Sequence, residues 1–506
     1  MTTLTSTTMA SSFDIHDNVR DDKEPTRFLS QDQCIDLAKR IAAMAVGGGE
    51  TACGILSSWS GNLRYARNEI ISSGDSRDNW VGIQRYIQRA RANITTNRID
   101  DVGLETAVRY AERMLNLLGT EVVDRRFEEH FSDVDLSITE MRAPRFAGFT
   151  SNPELVDADV LFRRTLEQHA KPKLFHETTY NLTAHDRVAQ LSPLIESARK
   201  TKLLAAGYAQ VSAYGTGMTS TWGQAFYYPY TAAEFTVTVR DPSGTGSGWA
   251  GVDWGDWSRI ELTKLSETAM DKCLRSRNPV AVEPGRYTTI LEPQATSDIF
   301  SSVTTSLDRM SAEDGHGPFT LGKPNSKIGL RVLDQRITIS ADPMDPDLGF
   351  VPFNHKGESY KPVTWIENGV LKELAYSRSY GVKQLGKDTS LPNSQSYRMS
   401  GGPDSIDDMI RSTRRGLIVT RFSGMRIVDG YTLLTTGYTR DGLWLIENGK
   451  ITKAVKNFRF LESPLFIFNN LEAIGTPVRV YRPGFPTIVP PVKVRDFNFV
   501  SLVEAV

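Results

Sequence analysis

Few side chains in this sequence have the type and spacing that chemistry demands. His176-Glu177 supplies the first two members of a helical zinc signature, which needs a second histidine four residues after the first. The next histidine, His185, stands nine residues on, about 180° around a continuous helix at 3.6 residues per turn. The two therefore read as structural. Glu313-Asp314-Gly315-His316-Gly317 sets carboxylates beside an imidazole, a combination that can bind a metal or polarise a water. Asn354-His355-Lys356-Gly357-Glu358 has the same character. Both stretches are expected as solvated loops, with Glu313, Asp314, His316 and His355 as fallback metal ligands. Asp253-Trp-Gly-Asp256 places two carboxylates near a glycine but lacks the ligand run of a calcium loop. A Gly-x-Ser-x-Gly elbow and a Walker A loop are missing from the sequence.

The elements that must position these groups follow a simple order. Residues 1–29, rich in Thr, Ser and Asp, are expected as a mobile tail. Ser30 and Gln33 have capping-box spacing, and Ile35, Ala38, Ile41, Ala42 and Ala45 keep a helical period until Gly47-Gly48-Gly49. Residues 51–98 read as strands, with a turn at Ser73-Gly74-Asp75. Asp100-Asp101 then cap an amphipathic helix whose stripe is Leu104, Ala107, Val108, Ala111, Leu115 and Leu118. Residues 120–200 read as mainly helical and charged. In the strand-like stretch 205–240, Phe235, Val237 and Val239 alternate with Thr236, Thr238 and Arg240. A flexible loop at 241–248 precedes a helix carrying Leu262, Leu265, Ala269 and Cys273 inward. Beyond 281 strands dominate. Trp365-Ile-Glu-Asn-Gly-Val-Leu and Leu445-Ile-Glu-Asn-Gly-Lys-Ile each place Asn-Gly between β-formers, the mark of a two-residue hairpin. The fold class expected is α+β: an N-terminal domain of helices packed on a sheet (30–280) and a mainly antiparallel β domain (281–506).

Composition narrows the function by exclusion. With 59 basic and 60 acidic residues in 506, no electrostatic case exists for nucleic acid or an anionic membrane as partner. Three cysteines are too few for a disulfide framework, and seven histidines restrict metal chemistry. The first residues lack the basic and apolar regions of a secretory signal, and no apolar run approaches the ~20 residues of a spanning helix. The cytoplasm is the compartment expected.

A resemblance adds what the residues alone do not. Gly442-Leu-Trp-Leu-Ile-Glu-Asn-Gly-Lys-Ile-Thr-Lys-Ala-Val-Lys-Asn is similar to the C-terminal signature of the TldD/PmbA (TldD/TldE) metalloprotease family. Ser340-Ala-Asp-Pro, Gly349-Phe-Val-Pro-Phe and the Trp365 segment resemble its central strand block. Trp80 to Arg113 resembles its N-terminal strand and helix, and Arg286-Tyr-Thr-Thr-Ile-Leu-Glu-Pro resembles the strand leading into its catalytic helix. The resemblance runs over residues 35–500. It implies a cytoplasmic heterodimeric zinc protease for flexible or unfolded peptides, which are held as an added β-strand. In that family one subunit, TldD, carries a His-Glu-x-x-x-His helix and a C-terminal cysteine, whereas TldE lacks these ligands.

Aligned on that pattern, Ser301, Ser302 and Ser306 occupy the expected His, Glu and His positions, and no cysteine follows Cys273. Serine is a poor zinc ligand and cannot replace Glu as general base. The leading expectation is a non-catalytic TldE/PmbA-like subunit, a pseudo-enzyme that binds no cofactor itself and works beside a zinc-bearing TldD-like partner. Two alternatives stand: a metallopeptidase with rearranged ligands, and a peptide-binding biosynthetic accessory protein without hydrolysis.

Overall fold

The computed structural model describes residues 27–46, 48–87, 90–118, 151–155, 171–221, 225–354 and 357–503. The expected tail up to residue 26 and much of the 120–170 stretch lie outside the described residues. The helix Gln31–Met44 starts as its sequence requires. The Ser30 hydroxyl accepts from the Gln33 amide, and the Gln33 side chain accepts from the Ser30 amide, satisfying two first-turn donors reciprocally. Its buried stripe, Leu37, Ala38 and Ile41, packs with Leu104, Val108 and Ala111 of the helix Asp101–Leu118.

Both helices lie on a seven-stranded antiparallel sheet. Its strands are β1 (Glu50–Ala66), β2 (Glu69–Ile87), β3 (Ala90–Thr96), β4 (Ser151–Leu155), β5 (Leu204–Ser220), β6 (Ala225–Arg240) and β7 (Ser247–Trp254), in the order β4-β3-β2-β1-β5-β6-β7. Trp59, Leu63, Val211, Ala213 and Phe235 belong to the core formed with the helices Ala184–Lys200 and Leu262–Arg275. Ala269 and Cys273 of the latter are fully buried, as the period suggested, with Leu262 and Leu265 packed at the margin. Because side chains alternate along a strand, all four helices share one face, and Leu56, Gln210, Ser212, Tyr214 and Glu234 stand on the other.

Two expectations for this half are corrected. Ser73-Gly74-Asp75 is not a turn but part of β2, opposite Leu63, Asn62 and Gly61. The reversal falls at Arg67 and Asn68, with φ of +51° and +64°. Asn68 is fixed there from outside the hairpin: its amide donates to the Leu203 carbonyl and accepts from the Ala205 N–H, each at 2.7 Å. His176 and His185 do not share a helix either. His176 caps the short helix Glu177–Tyr180, and a separate capping box of Thr183 and Asp186 opens the helix Ala184–Lys200.

After β8 (Gly285–Leu291) the chain is mainly β. A small hairpin, β9 (Thr320–Gly322) and β10 (Asn325–Ser326), precedes a six-stranded sheet. That sheet contains β11 (Ile339–Ala341), β12 (Val363–Glu367), β13 (Val370–Leu371) and β14 (Tyr397–Met399). Its remaining strands come from much later in the chain. Between them lie β15 (Arg415–Asp429), β16 (Leu434–Glu447), β17 (Lys450–Ala454), β18 (Phe458–Glu462) and β19 (Leu471–Ile474). Then come β20 (Val478–Arg479), β21 (Thr487–Val489) and β22 (Val492–Leu502), giving the sheet the order β13-β12-β11-β14-β21-β20.

Pairing of β15 with β16 closes β15-β8-β22-β18-β16 into a barrel, with β17 and β19 attached to β16 and β22. Apart from β8–β15 and β14–β21, which are parallel, these pairings are antiparallel. Both Asn-Gly pairs make the hairpins their sequence predicts. Asn368-Gly369 and Asn448-Gly449 have positive φ at both positions, as a type I′ turn requires. Phe422, Phe460, Phe497 and Phe499 pack inside the barrel with Ile299, Phe300 and Val303 of the helix Pro293–Thr305. The protein is thus of mixed α+β class. No helix among the described residues is long and apolar enough to cross a membrane.

Candidate functional site

The open face of the seven-stranded sheet is the floor of a cavity of about 1000 Å³. On β5 the residues Gln210, Ser212, Tyr214 and Thr216 face it, while Ala209, Val211 and Ala213 between them are fully buried against the helices. β6 adds Tyr230, Ala232 and Glu234, paired respectively with Tyr214, Ser212 and Gln210, and β7 adds Asp253 opposite Glu234. Tyr214 and Tyr230 stack with ring centres 4.5 Å apart and planes 12° from parallel. The facing wall comes from the C-terminal half: the segment Met344–Asn354, Arg479 and Pro483–Pro486.

The charged groups around this space are mostly paired. Asp253 holds the wall to the floor: its Oδ2 accepts from Arg479 at 2.8 Å and its Oδ1 from the Arg482 backbone N–H at 2.5 Å. These two side chains are 10% and 7% exposed, so this is a buried pair. The Arg479 guanidinium also lies 4.7 Å from the Trp254 ring centre, and Arg259 lies 3.7 Å from the same ring. Arg259 donates to Asp347 at 2.8 Å, and Arg398 forks onto Asp345 at 2.9 and 3.0 Å. Glu234 differs. Its Oε2 accepts from the Tyr481 hydroxyl at 2.7 Å, and among the described residues it forms no ion pair with Lys or Arg. Burial raises its pKa and the neighbouring Asp253 adds to the shift, while the Tyr481 hydrogen bond opposes them.

At the other end, His176 and Asp256 approach to 3.7 Å, too far for a hydrogen bond. Burial holds His176 below the usual imidazole range despite this carboxylate. Burial works against the charged form of Asp256, yet hydrogen bonds from Thr178 and Ser258 outweigh it and lower the pKa. His176 and Asp256 do line the cavity, together with Asp253, so two stretches read as structural in the sequence border the candidate site.

The residues aligned with metalloprotease ligands sit on the helix Pro293–Thr305 and its C-cap. Proline at the first position, with its fixed φ and no N–H to satisfy, suits the helix start after β8. The Ser301 hydroxyl donates to the Asp298 carbonyl at 2.7 Å, and Ser306 donates to the Ser302 carbonyl at 2.8 Å. Neutral hydroxyls spent on their own helix backbone do not fit a zinc ion, which is held by imidazole, thiolate or carboxylate. One turn earlier, burial lifts the Asp298 carboxyl to about 6, against hydrogen bonds from the Phe422 amide and the Gln294 side chain.

The fallback ligands are dispersed among other partners. Glu313 accepts from Arg309 at 2.7 Å and from the Tyr380 hydroxyl, Asp314 pairs with Lys323 at 3.2 Å, and His316 is exposed. His355 lies outside the described residues. Among the described residues no three His, Cys, Asp or Glu side chains gather to hold a metal ion. The cysteines offer no thiolate: burial pushes Cys34 and Cys53 up to about 12 and Cys273 to about 11.

Sequence reasoning missed the cavity floor. The available signal was the composition of the alternate positions on β5 and β6, where hydroxyl, amide and aromatic side chains oppose an alanine- and valine-rich buried face. A face turned to bulk water would carry more Lys and Glu. The wall residues Asp345, Asp347 and Arg479 gave no such signal, because strands far apart in sequence bring them together.

Residues 284–501 match the PmbA/TldA metallopeptidase C-terminal domain. Over 172 residues the chain is 29% identical to a metalloprotease of Archaeoglobus fulgidus, covering 31% of this chain and 39% of that one. Across the curated metalloproteases it matches, the chain spans 34–50% of their length. A Thermotoga maritima protein described as a candidate modulator of a DNA gyrase superposes with a TM-score of 0.73 at 14% identity, covering 92% of this chain and 100% of that one. TldE from Thermococcus kodakarensis superposes with a TM-score of 0.71 at 15% identity, covering 92% and 99%. These likenesses show a shared fold.

Proposed function

We propose, from the match of residues 284–501 to the PmbA/TldA metallopeptidase C-terminal domain, that this protein is a TldE-like, non-catalytic subunit of the TldD/PmbA metallopeptidase family. It supplies a peptide-binding cavity to a zinc-bearing, TldD-like partner with which it forms a heterodimer. The observation that carries the reading is the helix after β8, where serines stand at the positions aligned with the zinc ligands and general base, and the Ser301 and Ser306 hydroxyls are bonded to helix carbonyls. Such a helix can pack, as Ile299, Phe300 and Val303 do, but its three aligned positions carry neither the imidazoles nor the carboxylate that would hold zinc and activate a water. The cavity supports the peptide role, because a sheet face bearing hydroxyls, amides and aromatic rings can contact an extended chain along its length.

Co-purification with a His-Glu-x-x-x-His protein from the same cell, combined with metal analysis, tests this reading. A one-to-one complex with zinc confined to the partner is the expected result. One zinc per chain of this protein alone, lost on His316→Ala, would instead favour the rearranged metallopeptidase.

A further inference from the structure

Of the carboxylates that line the cavity, Asp253, Asp345 and Asp347 each face an arginine, and Asp256 is held by Thr178, Ser258 and the nearby His176. Glu234 has one hydrogen bond, from Tyr481. Directly across the strand pair from it stands Asp253, and like charges in that position repel. The arginine that answers this repulsion, Arg479, is spent on Asp253. Trp254, the indole beside the site, already carries Arg259 and Arg479 near its ring. The cavity floor therefore keeps one half-buried carboxylate without a cation among the described residues, facing space large enough for a ligand.

We propose, resting on the reading of this cavity as a peptide site, that its occupant is selected for a cationic group, a lysine or arginine side chain or a free amine, seated against Glu234. The floor also sets a spacing. The stacked Tyr214–Tyr230 pair lies four positions from Glu234 along β6, about 13 Å at the rise of a strand. A peptide extended along the strand has the same rise, so its residues i and i+4 lie on one side and at this separation. A basic residue on Glu234 thus brings a flat or apolar residue four positions away over the tyrosine pair.

The test is fluorescence anisotropy with the full chain and labelled Ser-Ala-Lys-Ala-Ser-Ala-Phe-Ser. Matched peptides carry norleucine or glutamate in place of the lysine. On the unaltered protein, the lysine peptide is expected to bind about tenfold or more tighter than the norleucine peptide, with glutamate weakest. Glu234→Gln keeps an oxygen for the Tyr481 hydroxyl and should bring lysine and norleucine within about twofold of each other. Norleucine binding as well as lysine on the unaltered protein overturns the proposal while leaving the peptide site standing, and this arm needs no variant to fold. Failure of all three peptides to bind overturns both.

Discussion

Removing the Asp253 carboxylate should destabilise the protein out of proportion to the size of the change. In Asp253→Ala the Arg479 guanidinium loses its partner at 2.8 Å while remaining buried at 7% exposure, and the Arg482 amide loses its acceptor. Breaking one half of a buried ion pair costs about 3–5 kcal/mol, largely because the surviving charge is left desolvated. An orphaned buried amide costs about 1–3 kcal/mol and overlaps with that figure, so a total near 4 kcal/mol is expected. Arg479→Ala should cost a similar amount. The double variant should cost clearly less than the sum, because neither charge is then stranded, with a coupling of about 2 kcal/mol or more. Urea titration followed by tryptophan fluorescence reads all four proteins, and Trp254 lies against the Arg479 guanidinium. A loss below about 1 kcal/mol in Asp253→Ala, or simple additivity of the two variants, would refute the claim that this pair joins wall to floor.

Three further outcomes follow from the same structure. Burial raises the Asp298 carboxyl to about 6, so its contribution to stability is fully present below about 4 and is lost as pH rises through 6. That loss is at most about 3 kcal/mol between pH 4 and 7, and Asp298→Asn should flatten this part of the stability profile; an unchanged profile would exclude the assignment. Gly449 has φ of +75°, and a Cβ there would meet the Arg411 carbonyl at 2.7 Å. Gly449→Ala should therefore cost at least about 1–2 kcal/mol in denaturation, and a neutral result would contradict the type I′ turn. Phe497 is fully buried and stacks on Phe422 with ring centres 5.7 Å apart. Phe497→Ala should lower stability by about 3–5 kcal/mol in calorimetry or denaturant, and less than 1 kcal/mol would remove it from the barrel core.

What the sequence made legible was local in origin. The Ser30–Gln33 box, the stripe Leu104–Leu115 and the two Asn-Gly turns each rest on residues within a few positions, and each forms as read. At Ser73-Gly74-Asp75 the reading failed because the reversal falls at Arg67-Asn68, where both residues have positive φ and Asn68 is also held by the distant Leu203 and Ala205. His176 was likewise judged by its helix alone. Its position on the cavity follows from Thr231, whose hydroxyl accepts its backbone N–H at 3.1 Å. The serines at 301, 302 and 306 were visible as residues, but the bonds of Ser301 and Ser306 to helix carbonyls required the structure. The candidate site itself was legible only in part, because it joins β5 and β6 to a wall supplied from residues 344–354 and 479–486.

Peptide cleavage by the reconstituted pair addresses the central claim most directly. The full chain, a His-Glu-x-x-x-His partner and a mixture of the two would each be offered an unfolded peptide, with and without a chelator. No cleavage by this chain alone, chelator-sensitive cleavage by the mixture, and loss of that cleavage when this chain is omitted are the expected results. Chelator-sensitive cleavage by the isolated chain would contradict it.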